Sequence, residues 1–145
     1  LPILNLKIPL TLAIVDGIVM KVGNSNFVIE AGVVKEFVSV KKDMMIRDPD
    51  GTESVMIRGD VYPVRRISKW YHIKDAKENV EEGMMVILEV EGKHICLFVD
   101  TLIGKQEIVV KPIPPYIKKV KGLSGCTQLG DGSIALILDP GGITE

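Results

Sequence analysis

VGNSNFVIEAGVV (Val22–Val34) and VEGKHICLFVDTL (Val90–Leu102) lie 68 positions apart and carry one pattern. Val22 aligns with Val90, Phe27 with Ile95 and Ile29 with Leu97. Each begins at a strand end, turns through polar or glycine residues and returns as an apolar strand, which is the pattern of a β-hairpin. Further along, IRGDVYPV around Gly59-Asp60 resembles QLGDGSIALI around Gly130-Asp131, at an offset of 71. Two copies of one strand order imply a duplicated β-module. Each copy holds about five short strands, which suits a small closed barrel better than one open sheet, because closure removes unpaired edges.

Working outward, Leu12–Val22 reads as a strand with Gly17 as a bulge or bend, and Phe27–Glu30 as its return. Val33–Val40 is a strand or a helix-like bend. Asp48-Pro49-Asp50-Gly51 is a surface turn, and Val55–Arg58 pairs with Val61–Val64 around Gly59-Asp60. A short helical connector lies between Arg65 and Glu82, where Ile67, Trp70 and Tyr71 form one apolar stripe. Strands resume at Met84–Val90, Lys93–Asp100 and Gln106–Lys111 and stop at Pro112, Pro114 and Pro115. Cys126–Leu129 and Ser133–Asp139 close the chain around a Gly130-Asp131-Gly132 turn whose glycines are expected at positive φ. The fold expected is all-β, two five-stranded barrels joined by one short helical connector. Approximate subdomains are 10–67 and 83–140, with exchange of strands between them open.

The 145 residues suffice for one domain or two very small modules sharing a core. An apolar fraction of 46% excludes disorder, and no apolar run approaches the ~20 residues of a spanning helix. A net charge of −1 argues against a nucleic-acid binder driven by bulk charge. Cys96 and Cys126 have no metal or redox spacing and read as reduced thiols. Leu1 opens a strand entered midway, so a fragment of a longer protein is expected, with residues 1–9 as the end of a linker.

No catalytic constellation is specific. His72 and His94 have no ligand partners at a useful spacing. Asp100, Asp131 and Asp139 sit at strand ends or in a turn, and the glycines lack phosphate-loop spacing. No cofactor or metal is expected. Lys118-Lys119-Val120-Lys121 and Arg65-Arg66 are short basic runs. Aromatics are only 5%, too few to supply stacking platforms beside them.

Partner contact is expected at outward apolar strand residues. Met84, Val86, Leu88 and Val90 share one strand face, and Met85, Ile87 and Glu89 the other. If the first set fills a barrel, Met85 and Ile87 face outward. Val19 shares a face with Lys21, and Val28 with Asn26 and Glu30. Val19, Val28, Met85 and Ile87 are therefore the expected partner-binding residues. The opposing expectation is that the two modules pack together and bury them.

Four stretches resemble the CheW-like regulatory domain of the chemotaxis histidine kinase CheA: IPLTLAIVDGIVMKVG (Ile8–Gly23), IRGDVYPVRRI (Ile57–Ile67), LFVDTLIGKQEIVVKPI (Leu97–Ile113) and GLSGCTQLGDGSIALILDPGGI (Gly122–Ile143). The resemblance spans about Ile8 to Ile143, so residues 10–145 are assigned to this domain. It implies two SH3-like barrels and a non-catalytic role: docking onto the adaptor CheW, onto chemoreceptor tips and against the rest of the CheA kinase. Location is expected in the cytoplasm at receptor arrays, without insertion into the membrane and without nucleic acid. Ile8-Pro9 is the expected hinge to the kinase. The alternative is a small-barrel binder of nucleic acid or ligand.

Overall fold

Apolar, β-branched runs broken by glycine and acidic turns become eleven strands in the computed structural model, which describes residues 13–113 and 122–143. They are β1 (Ala13–Val22), β2 (Ser25–Glu30), β3 (Val34–Val38), β4 (Met45–Arg47), β5 (Glu53–Ile57), β6 (Asp60–Arg66), β7 (Met84–Val90), β8 (Lys93–Val99), β9 (Thr101–Val110), β10 (Leu123–Gln128) and β11 (Ile134–Leu138). Two single-turn helices, α1 (Ile67–Trp70) and α2 (Pro140–Ile143), follow β6 and β11. The proposed Ile8-Pro9 hinge and the basic run at Lys118 lie outside the described residues. Among the described residues no helix is long and apolar enough to cross a membrane.

The strands form a five-stranded sheet, β10-β11-β2-β1-β9, and a six-stranded sheet, β3-β7-β8-β6-β5-β4. Apart from β4, the two orders superpose: β7–β8 plays in one sheet the part β1–β2 plays in the other. Each hairpin is flanked by an antiparallel strand (β3 or β9) and by a parallel one (β6 or β11). The first sheet closes on itself through a bridge between Lys111 and Cys126. The sheets are not consecutive halves of the chain. The first takes β1 and β2 together with β9–β11; the second is the continuous block β3–β8. The ranges 10–67 and 83–140 therefore mark sequence repeats, and each sheet joins the hairpin of one repeat to the strands of the other.

The two hairpins are buried on both faces. Ile18, Met20, Phe27 and Ile29 meet Val86, Leu88, Ile95 and Leu97 in one core between the barrels. On the opposite face of the first hairpin, Val19 and Val28 pack with Ile108, Ala135 and Ile137 inside their own barrel. On the second, Met85, Ile87, Cys96 and Phe98 pack with Val55 and Ile57. Gly17 is not itself a bulge; the register shift falls between Val19 and Met20. A Cβ at Gly17 would come within 2.5 Å of Val28 Cγ1, so glycine leaves room for the barrel interior.

The last hairpin turn runs from Leu129 to Gly132, closed by Gly132 N donating to Leu129 O at 2.9 Å. Of its two glycines only Gly132 has positive φ, at 90°. Gly132→Val is expected to lower stability by about 1–3 kcal/mol. Gly130→Ala, with open space around it, is expected to melt with the wild type. Thermal melts of both variants check this contrast. Val19→Asp is expected to abolish cooperative melting by circular dichroism. An unpaired carboxylate in that interior costs several kcal/mol, against a typical domain stability of about 5–15 kcal/mol.

Candidate docking surface

The four residues expected to face a partner do not reach the surface. Val19, Val28, Met85 and Ile87 are each 0% exposed. The period-two reading of their strands is sound, but it assumed that a strand has only one buried face. Here both faces are buried and the phase is the reverse of the one expected: these four fill the interiors of their own barrels, and the other parity lies against the sister barrel. These residues hold the barrels together internally and cannot touch a partner in this arrangement.

The outward apolar residues lie elsewhere. Among the described residues the exposed large ones include Ile46, Met56 and Val61, at 38%, 46% and 54%. All three sit on one face of β4–β5–β6. Met56 is directly opposite Val61, while Ile46 is opposite Ser54 and Ser54 opposite Pro63. The other parity, Met45, Val55, Ile57, Tyr62 and Val64, turns into the barrel. The register extends this outer face across the sheet: Arg65 pairs with Leu97 and Leu97 with Val86. Leu97 and Val86 are covered by the first barrel. One face of one sheet is thus covered on its β7–β8 half by the sister barrel and open on its β4–β5–β6 half. The sequence signal for the open half is an apolar residue, Met56 or Val61, where alternation about the Gly59 turn calls for a polar one.

An ion-pair cluster fixes the end of this three-stranded segment. Glu53 accepts from Arg66 Nε at 2.6 Å and from Arg66 Nη2 at 3.1 Å, a two-pronged pair. Arg47 adds a third contact at 3.1 Å. The Glu53 and Arg66 side chains are only 8% and 9% exposed. Arg66 also donates to the Glu78 carbonyl and lies over the Phe98 ring, which ties the strands to the connector. The Arg66 hydrogen bonds hold the Glu53 carboxyl below its ordinary value, against the opposing effect of burial.

The acids that might suggest chemistry serve the backbone instead. Asp100 accepts from Gly23 N at 2.7 Å and from Lys77 N at 3.0 and 3.1 Å, stapling the first hairpin turn to the connector. Asp131 accepts from Ser133 N and Oγ within its own turn. Asp139 accepts from Gly141 N at the start of α2. His94 lies 3.6 Å from Glu89 on its own hairpin, and His72 is exposed at a φ of 55°. Burial pushes the Cys96 thiol up to about 12, which makes it unreactive. Among the described residues no three His, Cys, Asp or Glu side chains gather as a metal-binding group. The arrangement can bind another surface through its exposed apolar side chains.

The family model described as CheW-like domain matches residues 16–145. Chemotaxis protein CheA of Klebsiella aerogenes is 35% identical over 94% of this chain and 21% of that protein. Sensor histidine kinase CheAY of Helicobacter pylori is 34% identical over 97% of this chain and 17% of that protein. The chain spans about a fifth of the length of the curated relatives it matches. The crystal structure of scaffolding protein TtCheW from Thermoanaerobacter tengcongensis superposes with a TM-score of 0.73 at 18% identity, covering 88% of this chain and 90% of that one.

The Glu53 cluster sets an acid dependence. A carboxyl whose folded pKa is depressed adds stability above its unfolded value, near 4.5, and that stability is lost as pH falls through the folded value. Melting temperature is expected to drop as pH is lowered below about 4.5. The Glu53→Gln variant is expected to be less stable than wild type at neutral pH and to lose less on acidification. Melts across a pH series check both outcomes.

Proposed function

Because the chain belongs to the CheW-like domain family, we propose that it is a non-catalytic docking and regulatory module of a CheA-type chemotaxis histidine kinase. It binds the adaptor CheW and chemoreceptor tips in the cytoplasm and couples receptor state to a kinase whose catalytic parts are in other domains. The similarity to CheA proteins over nearly the whole chain supports this reading.

The observation that carries it is the half-covered sheet face. The β7–β8 half is covered by a five-stranded barrel of this chain, through Val86, Leu88 and Leu97. The β4–β5–β6 half presents Ile46, Met56 and Val61 to solvent in the same plane. A barrel of the same make, supplied by the adaptor, is the partner that suits it. Contact of this kind rests on apolar burial, so moderate salt changes it little. Coupling requires that these contacts differ between the kinase's on and off states.

Met56→Asp and Val61→Asp are each expected to fold as wild type by circular dichroism, because both side chains face water in the free chain. Each is expected to weaken adaptor binding at least tenfold, or about 1.4 kcal/mol, in calorimetric titration. Full adaptor binding by both folded variants overturns this placement. A gel-shift assay with single-stranded nucleic acid tests the alternative of a nucleic-acid-binding barrel.

A further inference from the structure

Beside the apolar face lies a surface of different character. A groove of about 500 Å³ is lined by Glu53, Pro63, Val64, Arg65, Lys69 and Trp70. A second, of about 490 Å³, shares Arg66 and Lys69 with it and continues to Lys74. From Arg65 to Lys74 the chain carries four Lys or Arg residues and no acid, in a protein of net charge −1. Arg66 is paired with Glu53, and among the described residues Lys69 and Lys74 have no carboxylate within ion-pair distance, although the Lys69 charge acts on Glu53 through space. Glu78, whose carbonyl accepts from Arg66, is the acid that lines the second groove.

In the other copy of the repeat the corresponding corner carries no cation. At the offset of 71, Arg65, Arg66 and Lys69 correspond to Leu136, Ile137 and Pro140. The same strand-to-helix corner, β6 into α1 and β11 into α2, forms in both copies, with Ile67 and Leu138 buried at 0% and 1%. One copy builds the corner with apolar residues and proline; the other places three cations on it.

We infer that this corner is a docking groove for an acidic, extended peptide segment of a protein partner, separate from the apolar face. The carboxylates would meet Lys69 and Lys74, and an apolar residue between them would lie against Pro63, which lines the same groove beside Trp70. Charge complementarity selects the occupant. A nucleic acid fits less well, because Arg65 sits 4.1 Å above the Trp70 ring and Tyr71 stacks beside it, so no free aromatic face awaits a base.

Trp70 is the sole tryptophan of the chain, so its emission reports events in the groove directly. The probe is a short capped peptide of alternating Glu and Leu, titrated at low and moderate salt. The comparisons are the same peptide with Lys for Glu and a single-stranded oligonucleotide of equal charge. The expected result is a saturable emission change with the acidic peptide alone, weakened by added salt. Lys69→Glu and Lys74→Glu are each expected to lower that affinity at least tenfold. Lys93→Glu, the same charge change on the remote β7–β8 turn, is expected to lower it by less than half as much on a logarithmic scale. No saturable change, equal weakening by Lys93→Glu, or oligonucleotide binding as tight as the peptide's would each overturn the inference. Adaptor titration of the Met56 and Val61 variants is a separate readout, so the two surfaces succeed or fail independently.

Discussion

The core between the two barrels, where β1–β2 faces β7–β8, is the contact on which everything else depends. Ile18, Met20, Phe27 and Ile29 from one sheet interlock with Val86, Leu88, Ile95 and Leu97 from the other. Each such side chain, fully buried, contributes about 1.5–3 kcal/mol. Each barrel also has an apolar interior of its own, but a barrel separated from its sister would expose one whole face of its central hairpin to water.

Connectivity reinforces that dependence. Each barrel takes its central hairpin from one sequence repeat and its flanking strands from the other, so both repeats are needed before either barrel exists. β1 must find β9, with pairs such as Ile14 with Val109 joining residues 95 positions apart. Contacts of such long sequence separation slow folding more than they weaken the product. Asp100 sits where this arrangement is most exposed to slippage: it binds the β1–β2 turn and the connector at once, from the junction of β8 and β9.

The same geometry decides where partners can bind. Burying both faces of the central hairpins leaves the flanking strands β4–β5–β6 with apolar side chains that none of the described residues covers. The Glu53–Arg66 pair keeps that segment in register with the connector, and the cationic corner around Lys69 lies just beyond it. Apolar and charged surfaces thus sit side by side on one barrel.

The hairpins, the short connector and the paired repeats were legible in the chain itself, because turns and alternation are local properties. Val22 and Val90 do end equivalent strands, and Asp131 does serve its own turn. The exchange of hairpins between repeats was not legible, since pairing partners far apart in sequence leave no local mark. Nor was the fate of Val19, Val28, Met85 and Ile87. Period two tells which residues share a strand face but not what lies opposite that face. Only the tertiary structure shows that these four fill the interiors of their own barrels, that the sister barrel covers the opposite parity, and that Met56 and Val61 face water.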